Sequence, residues 1–258
     1  MPRVQIDGAS VHYAERPGGS RAVVFVHGGF GSSSELWARS MAALPPQYSA
    51  YAIDNFLRSD PPPDGYSVPA FARRVAGFVA TLGLGAPVLV GHSMGGATIQ
   101  LAAIEHPACV GGLVLVCTGP SMTNHALARE LLVELRDSGG DRAAMRRISS
   151  EWFRVPPPDF FDGYVERAAS APLDAMVAVQ ASLIELDLRP RLREIRVPTL
   201  VVRGAYDTGR TPEHAEALLA GIPGSRLAVM SESGHSPMIE TPDAFDAALH
   251  RFLADCHG

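Results

Sequence analysis

The chain has 258 residues, 47% of them hydrophobic and 19% charged, a balance that suits a globular protein with a large core. A formal net charge of -5, with no run of basic residues, argues against nucleic acid or an anionic membrane as the main partner. Three scattered cysteines (Cys109, Cys117 and Cys256) are too few for a disulfide framework or a zinc site, and no apolar run reaches the length of a membrane span. With no apolar signal region in Met1–Asp7, the expected location is cytoplasmic.

In chain order, Val4–Ile6 and Val11–Tyr13 flank Asp7-Gly8, a dipeptide that favours a hairpin turn. Ala22–Val26 is continuously apolar, as in a strand covered on both faces. Ser49–Asp54 is the next strand. Phe71, Val75, Phe78, Val79 and Leu82 recur at helical spacing over Val68–Leu82, ahead of Gly83. Ala86–Val90 predicts another buried strand, followed by a Gly-rich turn and an apolar helical run, Ala97–Ile104. Further strands are expected at Gly112–Cys117, Pro198–Arg203 and Arg226–Met230. Thr211-Pro212-Glu213 and Thr241-Pro242-Asp243 each place Thr at an N-cap and Pro at the first helical position. Buried strands separated by helices imply a mostly parallel α/β sheet. Residues 121–187 break the rhythm, with helical stretches at Leu127–Leu135, Phe160–Ala169 and Leu173–Leu186 and a Pro156-Pro157-Pro158 turn. They are expected to form a helical cap laid over the strand ends, on a core made of 1–120 and 188–258.

The turn after Val90 reads Gly91-His92-Ser93-Met94-Gly95-Gly96, a G-x-S-x-G motif between a strand and a helix. A serine there projects from a sharp, strained turn, and glycines at 91 and 95 remove collisions that side chains would cause. A serine hydroxyl needs a base, and the base needs an orienting acid. Asp207 follows the strand ending near Val202, and His235 follows the last strand. The order Ser93, Asp207, His235 is the one this architecture requires. Taken singly, the plainer readings are a helix-capping serine, a turn aspartate and a surface histidine; together they point to acyl transfer. His27-Gly28-Gly29-Phe30 follows the third strand. Its small residues let backbone amides approach a carbonyl, so the oxyanion donors expected are the N–H of Met94 and that of Gly29, or of Phe30 if the loop is offset by one. His27 is read as a structural anchor of that loop.

These motifs, with His106-Pro107, Gly204–Asp207 and Gly234–Pro237, resemble the α/β-hydrolase fold family in its serine hydrolase branch, over residues 3 to 254. The resemblance implies an eight-stranded sheet with the second strand antiparallel, a helical cap after the sixth strand, and no cofactor. Many relatives carry Asp-x-x-Gly-x-Gly-x-Ser after the fourth strand; here Asp54–Asp60 lacks the glycines, so Phe56, Leu57 and Arg58 add bulk at the site edge, with Arg58 expected to pair with Asp60. Serine at the elbow excludes relatives that form an alkyl ester on a carboxylate. It fits hydrolysis of an ester, lactone or thioester of a small to medium apolar substrate. Readings left open are carbon–carbon bond hydrolysis, acyl transfer or lyase chemistry on the same triad, and a receptor-like binding protein with little turnover. Met122, Trp152, Phe153, Phe160, Phe161 and Tyr164 are the candidates to line an apolar pocket, about half of them as lining residues. His125 reads as a solvated helix-end histidine, no charged cluster suggests a phosphate or coenzyme A anchor, and the oligomer expected is a monomer or homodimer.

Overall fold

The computed structural model describes residues 2–29, 31–123 and 125–257. Strands β1 (Arg3–Ile6) and β2 (Ala9–Arg16) form an antiparallel hairpin. Its turn residues Asp7 and Gly8 both have positive φ, 49° and 81°, the conformation a two-residue hairpin demands and Asp-Gly tolerates. β3 (Arg21–Val26), β4 (Tyr48–Asp54), β5 (Val88–His92), β6 (Gly112–Val116), β7 (Thr199–Gly204) and β8 (Arg226–Met230) complete one eight-stranded sheet in the order β1-β2-β4-β3-β5-β6-β7-β8. β2 runs antiparallel to both of its neighbours, and the pairings from β4 through to β8 are all parallel.

The continuous apolar runs have a simple cause: helices cover both faces of the sheet. Along β3, Val24 and Val26 point into one core with Leu89, Leu113 and Leu115, while Val23 and Phe25 point into the other with Val90, Val114 and Val116. The first core takes α2 (Val68–Thr81), capped by the Ser67 hydroxyl accepting from the Ala70 amide at 3.1 Å, and α3 (Met94–Glu105). Every residue of α3 from Met94 to Ile104 is buried, so this helix is apolar on all sides. Trp37, from a single 3-10 turn at Ser34–Trp37, and Phe245, Leu249 and Phe252 fill the other core with α1 (Ala38–Ala43) alongside.

Four helices stand between β6 and β7: α4 (Ala126–Ser138), α5 (Arg142–Ser150), α6 (Pro158–Ser170) and α7 (Leu173–Glu185). α4 packs on α7 and α5 on α6, around Leu135, Met145, Ile148, Ala168 and Met176. The two ends of this insert are tied together by a bridge between Ser121 and Asp187 and by the Leu188 amide donating to the Pro120 carbonyl at 2.8 Å. α5 was not expected. Its apolar residues are few among five arginine or serine neighbours, but Asp141 accepts from the Ala144 amide at 2.7 Å and starts it. α8 (Pro212–Gly221), α9 (Pro237–Glu240) and α10 (Pro242–His257) close the chain. Thr211 stands at the N-cap of α8 as expected, yet its hydroxyl bonds His214 Nδ1 (3.2 Å) instead of a helix amide. Among the described residues no helix is long and apolar enough to cross a membrane.

Candidate active site

Ser93 stands between β5 and α3 with φ 53° and ψ -115°, a conformation that costs an L-residue about 1–3 kcal/mol. Its surroundings enforce the turn. A Cβ on Gly91 would lie 2.5 Å from the Gly95 carbonyl oxygen, and one on Gly95 would lie 2.3 Å from that of Val26. Only glycines let the elbow close onto the end of β3. The Ser93 amide donates to Val116 O (2.9 Å) and its carbonyl accepts from Thr118 Oγ1 (2.8 Å), so the turn is pinned to β6 on both sides.

Asp207 lies three residues beyond β7. Its Oδ1 accepts from the amides of Gly209 (3.0 Å) and Arg210 (2.9 Å), and its Oδ2 meets His235 Nδ1 at 2.8 Å. Burial pushes this carboxyl up, but the His235 ring and the Arg210 amide outweigh it and hold it below the usual carboxylate range. An ionised carboxylate only accepts, so His235 Nδ1 carries the hydrogen and Nε2 is left with its lone pair. His235 and Ser93 line the same cavity, with no hydrogen bond between them. Gly29 and Met94 line it too, and their amides have no partner among the described residues. Phe30, the other expected donor, lies outside the described residues.

Three supports were not foreseen. His92 Nε2 donates to the His235 carbonyl (2.8 Å), and burial, then the neighbouring His235, lowers the His92 imidazole to about 3, so it stays neutral. Glu240 Oε2 accepts from the amides of Gly234 and Ser236 (both 3.0 Å) and from the Ser233 hydroxyl (3.2 Å), bracketing His235 on each side. Tyr164, from α6, reaches Ser32 Oγ (3.2 Å) in the loop after β3; burial raises its phenol to about 12. His27 does anchor its loop: Nε2 accepts from the Asn55 amide (2.9 Å), so Nδ1 carries the hydrogen and donates to Gly28 O (2.7 Å).

The cavity encloses about 700 Å³, its mouth included. α4 and α7 supply an apolar wall of Leu127, Leu131, Met176, Val179 and Leu183. Met122, Trp152 and Tyr164 line it, with the Trp152 ring 5.2 Å from that of His235. Phe153, Phe160 and Phe161 are not among its lining residues. They belong with Tyr164 to an aromatic cluster inside the insert, in which Phe153 meets Phe160 (6.3 Å), Phe161 (5.9 Å) and Tyr164 (5.6 Å) edge-to-face. Phe160 and Phe161 each lie about one turn before Tyr164 on α6, but their rings pack against Phe153 and not into the cavity. Phe56 lines the cavity, whereas Arg58 pairs with Glu35 at 2.7 Å where Asp60 was expected; Asp60 accepts from the Ser10 amide instead. His125 is a correction. It is half-buried at the start of α4, faces the cavity, and bonds Gly209 O at 3.1 Å. One charged side chain, that of Arg210, also lines the cavity.

Cys117, Asp207 and His235 place potential metal ligands within 4.8 Å of one another. Burial, then the Asp207 charge, pushes the Cys117 thiol well above its ordinary range. A protonated thiol is a poor ligand, and the other two groups are spent on each other.

A model of the alpha/beta hydrolase family matches residues 23–248. The chain belongs to that family. This hydrolase is 30% identical to polyketide synthase ThaQ of Burkholderia thailandensis over 93% of its own length, though that stretch is only 12% of ThaQ. It is 26% identical to the putative carbamate hydrolase RutD of Klebsiella pneumoniae, covering 95% of this chain and 96% of RutD. Among solved structures, a thermophilic esterase from Thermogutta terrifontis superimposes with a TM-score of 0.89 at 25% identity, with all of each chain covered. The protein is an enzyme of the hydrolase type.

Proposed function

We propose that Ser93, His235 and Asp207 act as nucleophile, base and orienting acid, and that the amides of Gly29 and Met94 form the oxyanion hole. The reaction is cleavage of a carboxylic ester, lactone or thioester through an acyl-enzyme on Ser93. The observation that carries this reading is the 2.8 Å contact between His235 Nδ1 and Asp207, set on the same cavity as a serine held at φ 53°. His235 Nε2 takes the Ser93 proton as Oγ attacks the carbonyl carbon. The oxyanion that forms is held by the two unpartnered amides. His235 then returns the proton to the leaving oxygen or sulfur, and a water, deprotonated by the same nitrogen, releases the acid. The four-helix insert, residues 121–187, serves as the cap, and its apolar wall suits a small to medium acyl chain.

The test is hydrolysis of p-nitrophenyl esters of graded acyl length by the wild-type enzyme and Ser93→Ala. Turnover by the wild type and a loss of about 10⁴-fold or more in the variant is expected. Failure of the wild type on every ester, together with failure of a fluorophosphonate probe to label Ser93, would overturn the reading.

A further inference from the structure

One buried group has no part in the chemistry above. Arg210 follows Asp207 by three residues and is only 7% exposed. Its Nη1 donates to the Gly209 carbonyl at 2.9 Å, and its Nε is buried with no partner among the described residues. No carboxylate oxygen of the described residues lies within 4.0 Å of the guanidinium. Asp207 is the acid closest in sequence and its charge acts on the guanidinium from beyond 4.0 Å, but its oxygens are taken by His235 and by the Gly209 and Arg210 amides, so it gives Arg210 no hydrogen-bonded partner.

This guanidinium forms part of the wall of the cavity that holds Ser93 and His235. His125 stands beside it. His125 Nδ1 accepts from the Ala128 amide (3.3 Å), so Nε2 carries the hydrogen and donates to the same Gly209 carbonyl that takes Arg210 Nη1. The rest of the wall, Leu131, Met176, Val179 and Leu183, offers no counter-charge. A guanidinium stays protonated in a protein, and burying it unpaired is unfavourable unless an anion arrives. Its planar fork matches the two oxygens of a carboxylate.

We propose that Arg210 is a substrate-binding residue: the cavity takes an ester or lactone bearing a free carboxylate, which Arg210 holds while the scissile carbonyl lies at Ser93. The placement of the carbonyl rests on the triad reading; the binding of an anion does not.

The experiment has two arms. In the first, calorimetry follows succinate, glutarate and adipate binding to Ser93→Ala. One of these diacids is expected to bind, and binding should weaken about 100-fold in Ser93→Ala/Arg210→Met and less in Ser93→Ala/Arg210→Lys, which keeps the charge without the fork. In the second arm, the monomethyl esters of the same diacids are compared with methyl butanoate, pentanoate and hexanoate. The wild type should favour the best half-ester over its neutral counterpart at least tenfold in kcat/KM, chiefly through KM, and Arg210→Met should erase that preference. If Ser93→Ala is folded by circular dichroism and binds none of the diacids, the proposal is wrong. So is it if the Arg210 variants bind them as well as the parent. Diacid binding that depends on Arg210, with no hydrolysis of any ester, would leave the anion site standing and sink the triad reading instead.

Discussion

On the sheet side of the cavity, the candidate site groups are held by directional bonds: His235 by Asp207, the His235 carbonyl by His92, the flanking amides by Glu240. On the insert side, Leu127, Leu131, Met176, Val179 and Leu183 are placed by packing, and the helices behind them are joined at the surface by exposed ion pairs such as Arg142–Glu166 and Arg146–Asp162. The two sides answer different demands. Bond making tolerates errors of a fraction of an ångström, which only hydrogen bonds with fixed angles can guarantee. A pocket that fits a carbon chain needs volume and apolarity, which many side-chain combinations supply.

Substitutions can separate the two. Asp207→Asn should be the most severe: the amide can present its NH₂ to the ring and favour the wrong tautomer, and a loss in kcat of about 10⁴ is expected in ester hydrolysis with the fold intact by circular dichroism. Glu240→Ala frees the loop around His235 and should lower kcat about 10²-fold with little change in KM, with Glu240→Gln recovering part of it by keeping one acceptor oxygen. His92 gives a pH-dependent effect. Its folded value of about 3 lies below the ordinary 6.5, so the unfolded chain binds the extra proton between those limits. Its contribution to stability is therefore complete above pH 6.5 and is lost on acidification toward pH 3. Urea unfolding at pH 7 and pH 5 should differ by about 2 kcal/mol less in His92→Asn than in the wild type. On the insert side, Leu131→Ala should shift the preferred acyl length upward and change kcat/KM about tenfold, leaving kcat on the best ester nearly constant. Arg146→Ala, at an exposed pair, should move stability by less than about 0.5 kcal/mol. A large kcat effect from Leu131→Ala, or none from Glu240→Ala, would break the division.

The same division governs what could be read from the sequence. The hairpin at Asp7-Gly8, the elbow around Ser93 and the Pro212 and Pro242 helix starts were legible because each is a local backbone requirement written in adjacent residues. The order of Ser93, Asp207 and His235 was legible because parallel strands bring their ends to one edge. Glu240 was not, since it acts on backbone amides and those carry no residue signal. Arg210 reads as one more charge in a loop; that it is buried, beside a Gly209 carbonyl bonded by His125 from 84 residues away, is a long-range feature. The pocket candidates illustrate the limit on α6, where Tyr164 reaches the cavity and Phe160 and Phe161 face their own cluster. Aromatic content marks an apolar interior without saying which interior.

The hydrogen bond from His92 to the His235 carbonyl joins positions 143 residues apart. Closing so long a loop comes late when a chain folds, after the local helices and hairpin have formed. A chain in which that contact has not yet formed therefore holds Ser93 without the His235 loop fixed beside it. On the proposed mechanism, reactivity then appears only once the last strand has docked, and a chain without that contact leaves esters and thioesters untouched.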